Sequence, residues 1–263
     1  MHHPPVFPDP FAIEWGHDKF GTFQSFAVEN VVQRMRWIPP GTFMMGSPEN
    51  EVGRYEDEFQ HKVELTNGFW LGDTPVTQAL WEVVMGTNPS QFRGPNNPVE
   101  QVSWQDCQEF IARLNVRIET LNARLPAEAE WEYACRAGTK TATWVGDLQH
   151  GQEVNASQLD TIAWYFGNAN DRTCPVAQKR ANPWGLYDML GNVYERCADS
   201  SAPCDARPVD ESRDTLAIDR VLRGGSWYSH ARHVRAAFRY VDPPDGRIEY
   251  VGLRLARSAT RGP

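Results

Sequence analysis

Residues 222–256 read LRGGSWYSHARHVRAAFRYVDPPDGRIEYVGLRLA, and two interleaved kinds of position make up the stretch. One is a frame of Arg223, Gly224, Gly225, Ser226, Trp227, Val234, Arg235, Ala236, Ala237, Arg239, Gly252, Leu253 and Arg254. Between its members stand thirteen others: Tyr228, Ser229, His230, Arg232, His233, Phe238, Tyr240, Val241, Asp242, Gly246, Ile248, Glu249 and Tyr250, rich in Tyr, His and Arg and without apolar periodicity. A surface whose side chains serve contact needs a backbone held by something else. The frame has the means: its arginines can donate to carbonyls of irregular loops, Gly224 and Gly225 permit close chain approach, and Ala236, Ala237, Val251 and Leu253 can pack inward. Tyrosine between them supplies contact area at low rotamer cost, as in antibody loops. The composition is that of a binding surface.

Bulk properties narrow the classes. At 263 residues the chain is long enough to bury about three quarters of its unfolded surface without help from metal or disulfides. A hydrophobic fraction of 41% with a mean hydropathy of -0.56 describes a water-exposed, loop-rich globular protein, and no window reaches the ~20 apolar residues of a membrane span. Membrane insertion is therefore not expected. The opening MHHPPVFPDPF lacks a basic segment followed by an apolar one, so a cytoplasmic location is the default expectation. A net charge of -8 argues against nucleic acid as a partner, because such binding draws on Lys and Arg to neutralise phosphates. Cys107, Cys135, Cys174, Cys197 and Cys204 are odd in number and lack CxxC spacing, which fits buried thiols better than a disulfide framework or zinc ribbon.

Along the chain, residues 1–35 read as an N-terminal arm with little regular structure, packed on a single domain of residues 36–263. Arg36 to Met45, with Pro-Gly between apolar runs, reads as strand, turn, strand. His61 to Leu71, with Asn67-Gly68, reads as a second pair. Thr77 is an N-cap before QALWEVVM, with Gly86 at the C-terminal end. Ser103 and Asp106 form a capping arrangement for a second helix lined by Phe110, Leu114 and Ile118. Pro126 opens a third helix that ends at Gly138. Residues 139–221 break into Gly, Asn, Asp and Trp punctuation, and loops of that length are functional or well pinned. The fold class is α+β, with helices early and strands mostly at the ends. The acidic run Glu51, Glu56, Asp57 and Glu58 reads as a solvated face rather than a metal or partner site.

The blocks WIPPGTFMMGS, TPVTQALWEVVMG, NPVEQVSWQDCQEF, RLPAEAEWEYACRAG, NPWGLYDMLGNVYE, LRGGSW and VGLRLA occur in an order that resembles the formylglycine-generating-enzyme (sulfatase-modifying factor) family from about Arg36 to Arg257. The resemblance implies a C-type-lectin-like fold, a small sheet surrounded by irregular chain. Members that oxidise a substrate cysteine to formylglycine use a cysteine pair shortly after the GGS block. Here Trp227, Tyr228 and Ser229 follow, and no cysteine occurs after Cys204. A serine hydroxyl cannot supply the thiolate that binds soft copper and activates oxygen, so an enzyme of this type is not expected. His61, His150, His230 and His233 are too scattered to suggest the iron triad of related sulfoxide synthases.

Residues 222–256 also resemble, position by position, the C-terminal repeat of diversity-generating retroelement variable proteins, which adenine-directed reverse transcription rewrites. That resemblance implies that the thirteen in-between residues are the rewritten, ligand-contacting ones. All but Glu249 are reachable from an asparagine codon by changing its adenines. A ligand-binding protein with an unknown protein or peptide-like partner follows, with an oxidoreductase and a silent scaffold as the rival classes. In relatives the Gly191–Glu195 loop helps hold calcium, which implies Asn192 and Glu195 as oxygen ligands for a possible structural calcium; no other cofactor is expected. The alternative is that Asn192 caps a turn and Glu195 pairs with a frame arginine.

Overall fold

The computed structural model describes residues 3–201 and 219–259; Cys204 and the polar run after it lie outside them. Twelve strands among these residues form three sheets. A six-stranded sheet runs in the order β1 (Glu14–Asp18), β2 (Gly21–Val28), β3 (Val31–Ile38), β6 (Phe69–Gly72), β12 (Ala256–Ser258) and β7 (Ala123–Arg124). A four-stranded sheet runs β10 (Arg239–Asp242), β9 (Arg220–Arg223), β8 (Tyr194–Ser200) and β11 (Val251–Leu253), and β4 (Gly41–Met45) pairs with β5 (His61–Leu65). The helices are α1 (Gln78–Met85), α2 (Trp104–Arg117) and α3 (Glu128–Arg136).

The capping signals translate directly into structure. The Thr77 side chain accepts from Leu80 N, and Gly86 closes α1 with a φ of 77°. Ser103 and Asp106 form a reciprocal capping box at α2. Apolar faces then join α1 and α2 to the large sheet: the Trp81 and Phe110 rings stack 4.9 Å apart beside Phe26, Met35 and Trp70, all buried. Short-range periodicity and local hydrogen bonds suffice for such elements, so they are legible before any tertiary contact is known.

Strand partners follow a different rule. Residues 14–28 were expected to lack regular structure, yet they form two antiparallel strands joined through Gly21. The expected hairpin of residues 36–45 is two strands in different sheets: β3 pairs with β2 and β6, and β4 pairs only with β5. Pro39 and Pro40 between them lack N–H donors, and the chain leaves one sheet for the other there. The same holds for Asn67-Gly68. Gly68 serves no primed turn; a Cβ there would meet the Trp37 ring at 2.3 Å, so the glycine answers to packing against β3. The last strand, β12, enters the large sheet between β6 and β7 from the far end of the chain, registering Ala256 on Leu71 and Arg257 on Trp70. Arg257 also binds the buried Asp9 carboxylate at 2.6 and 2.7 Å, which ties residues before β1 to that strand.

Among the described residues, no helix is long and apolar enough to cross a membrane. Cys107, Cys135 and Cys197 are buried, and Cys174 is partly so. Burial pushes the Cys107 thiol up to about 12, the reverse of what a reactive thiol needs.

Candidate ligand-binding site

The four-stranded sheet carries the site. β8 and β9 are buried antiparallel neighbours, β10 extends β9, and β11 lies parallel to β8 with Val251 opposite Tyr194. The loops leaving these strands meet at one edge: the turn 226–229, a 3-10 turn Ala231–His233, Tyr240 on β10, and Tyr250 just before β11.

What holds these loops is a set of buried ion pairs built on the frame arginines. Arg254, fully buried, binds Glu195 Oε1 at 2.6 Å and donates to the carbonyls of Gly72 and Tyr187. Arg223 reaches Glu132 and Glu128 from α3 and donates to the carbonyls of Ala236 (2.6 Å) and Ala237 (3.1 Å). Arg235 is held by Glu58 at 2.6 Å and by Glu51, and donates to Gly53 O. Each guanidinium thus satisfies loop carbonyls while a carboxylate from a distant segment neutralises it, which a charge out of water requires. Gly224, at φ 97°, brings the chain so close to Met189 O that a Cβ would lie 2.8 Å from it.

Two sequence expectations are corrected here. The acidic run is a solvated face only at Glu56 and Asp57, which are exposed; Glu51 and Glu58 are buried partners of Arg235, whose charge they neutralise. Asn192 and Glu195 do not fit a calcium ion and take the alternative arrangement, a turn closed by Asn192 and a pair between Glu195 and a frame arginine. Both Glu195 oxygens face the Arg254 guanidinium, one of them also accepts from Trp131 Nε1 at 2.7 Å, and Asn192 closes a loop by bonding the N–H and C=O of Cys174. A cation would have to displace a buried guanidinium from its carboxylate.

Between these anchors opens a cleft of about 280 Å³ lined by Phe166, Tyr194, Ser226, Tyr228, Ser229, His230, His233, Tyr240 and Tyr250. Six of the thirteen in-between residues therefore converge on one concavity. The Tyr228 and Tyr250 rings stack 5.8 Å apart, Tyr194 lies 5.6 Å from Tyr240, and Phe166 meets His230 edge-on at 4.9 Å. Tyr228 is 60% exposed and Tyr240 42%, so the rim presents aromatic surface to solvent. His233 accepts or donates a 2.8 Å bond with the Tyr55 hydroxyl, and its pKa is lowered to about 4 by burial, with Arg232 and His230 adding repulsion. It is a neutral imidazole at neutral pH.

The other in-between residues separate into three placements. Arg232 lies over the Tyr55 ring at 4.5 Å, and Val241 is exposed beside Tyr240. Phe238, Ile248 and Glu249 turn inward or act through backbone: Phe238 is buried against Tyr55 and Tyr194, Ile248 packs under the cleft, and the Glu249 carbonyl accepts from Trp227 Nε1 at 3.1 Å. Asp242 is buried in an ion pair with Arg196 at 3.0 Å, and Arg196 also donates to Gly246 O at 2.7 Å. Ser229 lines the cleft yet is buried. For Phe238 and Asp242 the expectation of a free contact side chain does not hold, because a buried ring cluster and a buried cation claim them.

Sequence reasoning missed Phe166, Tyr194 and Tyr55. Tyr194 stood inside the GNVYE block, next to the residue read as a metal ligand, and begins a strand whose first four residues are all buried. Phe166 and Tyr55 sit in irregular chain that carries no periodic signal.

A family model described as "Sulfatase-modifying factor enzyme 1-like domain" matches residues 19–259. The chain belongs to this family. The match begins inside the residues read as an arm and takes in β2 and β3. Treponema denticola variable protein 1 shares the fold with a TM-score of 0.76 and 28% identity, over 90% of this chain and 99% of the other. A protein named "Chaperone protein LppX" from Paenibacillus barcinonensis is 28% identical over 253 residues, 77% of this chain and 85% of the other. The formylglycine-generating enzyme of Streptomyces coelicolor is 32% identical over 202 residues, 73% of this chain, and the matched part spans 61% of that enzyme. The fold is the C-type-lectin-like variant of the family, sheet-rich with few helices and long irregular connections.

Proposed function

We propose that this chain is a non-enzymatic ligand-binding protein whose cleft between Tyr228 and Tyr250 recognises a protein or cell-surface ligand, and that a retroelement diversifies the residues lining it. One observation carries the reading: in-between residues converge on a single aromatic cleft, while the frame around them is clamped by buried arginine–carboxylate pairs that make no use of their side chains. Likeness to a protein named a variable protein supports it. Aromatic anchors in a shaped concavity are what dominates recognition energetically.

The test is genetic and biochemical. Near the gene there should be a near-copy of the DNA encoding residues 222–256, differing at adenines, beside a reverse transcriptase gene. Absence of such a copy removes the diversification part. Replacing Tyr228, His230, Tyr240 and Tyr250 together by Ala should abolish partner capture; capture that survives identifies a scaffold instead. Likeness to a formylglycine-generating enzyme gives the oxidase rival its support. Oxygen uptake with a cysteine peptide and copper would establish that rival; among the described residues no cysteine lines the cleft.

A further inference from the structure

Three hydroxyls form a row across the floor of the cleft. Ser226 Oγ lies 3.2 Å from Ser229 Oγ, which in turn lies 3.2 Å from the Tyr194 hydroxyl. Every other bond to the row brings a proton into it: Ser226 N donates to Ser229 Oγ at 3.0 Å, and Tyr228 N donates to Ser226 Oγ at 3.3 Å. Each hydroxyl can donate one proton and accept others. Three hydroxyls therefore hold three protons, and the two oxygen–oxygen contacts use two of them. However the rotors turn, one proton has no acceptor among the described residues.

The direction of the row places that proton. Ser229 donates to the Tyr194 oxygen, so the chain of donors runs from Ser226 through Ser229 and ends on the phenol. Donors in series polarise one another, which strengthens the last of them. Burial raises the Tyr194 pKa, so the phenol keeps its proton at neutral pH and offers a donor rather than a phenolate. The side chain is only 6% exposed and starts β8, so its position is fixed by the sheet.

The walls decide what group fits. Tyr228 and Tyr250 rings bound the cleft, with Phe166 and His230 also lining it. Among the described residues no Lys, Arg, Asp or Glu lines it, so a charged ligand would lose hydration there without a counter-charge from them.

We propose that the cleft holds an uncharged, flat group carrying a carbonyl oxygen, a carboxamide or an exposed peptide carbonyl on an apolar body, and that the Tyr194 hydroxyl donates to that oxygen. This rests on the binding role proposed above. Tyr194 lies outside residues 222–256, so the donor is common to every form of the surface, and the in-between residues select the body attached to the carbonyl.

The probes are benzamide, benzoate and benzyltrimethylammonium, titrated against the full chain by ligand-observed NMR. Benzamide is expected to bind tightest of the three. Tyr194→Phe should weaken benzamide about fivefold, the loss of one hydrogen bond, and leave benzyltrimethylammonium unchanged. Tyr228→Ala, at an exposed position, should weaken benzamide with its thermal unfolding unaltered. On the wild-type protein, infrared spectroscopy should show the bound benzamide carbonyl stretch at lower frequency than in buffer, a readout independent of any variant. Benzamide binding that is undetectable, unaffected by Tyr194→Phe or weaker than that of either charged probe overturns the proposal, as does an unshifted carbonyl stretch. None of these results touches the search for a template copy, so the diversified-surface reading stands or falls separately.

Discussion

The frame arginines and three of the cleft tyrosines, Tyr228, Tyr240 and Tyr250, sit within the same 35 residues, 222–256, yet answer to opposite physical demands. Arg223, Arg235 and Arg254 are no more than 1% exposed, each is paired with a carboxylate, and each also donates to backbone carbonyls. Tyr228 and Tyr240 touch mainly other rings and keep much of their surface in solvent. A buried charge tolerates no change because its partner would be left uncompensated. An exposed ring on a held backbone tolerates many. The contrast teaches where variation is permitted: along this stretch it follows burial and pairing, not distance from the site.

Substitutions measure that contrast. The largest effect is expected at Arg254→Ala, which strands the buried Glu195 carboxylate and leaves Gly72 O and Tyr187 O unpaired; a loss of about 3–5 kcal/mol should appear as a lower urea midpoint. Retention of wild-type stability would show that the frame is not what fixes the backbone.

Asp242→Ala comes next and sharpens the boundary between the two sets. It sits among contact residues but neutralises Arg196, so about 3 kcal/mol should be lost, with Arg196→Met recovering part of it in the double variant. Position 246 is coupled to it, because a Cβ on Gly246 would lie 2.3 Å from the Asp242 carboxylate. Side chains at 242 and 246 should therefore change together rather than independently.

His233 supplies a pH dependence. Its folded-state pKa of about 4 lies below the ordinary 6.5, so on acidification the unfolded chain takes up the proton first. Stability from this group is complete above pH 6.5 and lost progressively as pH falls from 6.5 to about 4. Partial exposure screens it, so about 1–2 kcal/mol is expected, and His233→Gln should flatten the curve in that window. The smallest stability effect is expected at Tyr228→Ala, within about 0.5 kcal/mol by thermal unfolding, since exposed substitutions away from caps and pairs usually fall in that range.

Much of the fold was legible in particular residues. Thr77, Gly86, Ser103 and Asp106 mark the ends of α1 and α2 through bonds that span three or four residues, and a sequence displays such bonds directly. The order of the family blocks gave the C-type-lectin-like class. Strand partners were not legible. Arg36 to Met45 and His61 to Leu71 each look like a hairpin locally, but β3 registers on β6 and β4 on β5, pairings decided by packing across the core.

The candidate site divides in the same way. By itself the sequence determined the alternation of frame and contact positions, the crowding of Tyr and His between them, and the lack of a cysteine after the GGS block. Only the tertiary structure decided that Glu51, Glu58, Glu132 and Glu195 neutralise the frame, that Asp242 and Phe238 face inward, and that Tyr194 and Phe166 complete the cleft. The reason is the range of the forces. Turn and cap preferences act over a few residues and leave a mark on composition, whereas a buried guanidinium takes whichever carboxylate the fold delivers, and from Arg235 that carboxylate is 177 residues away.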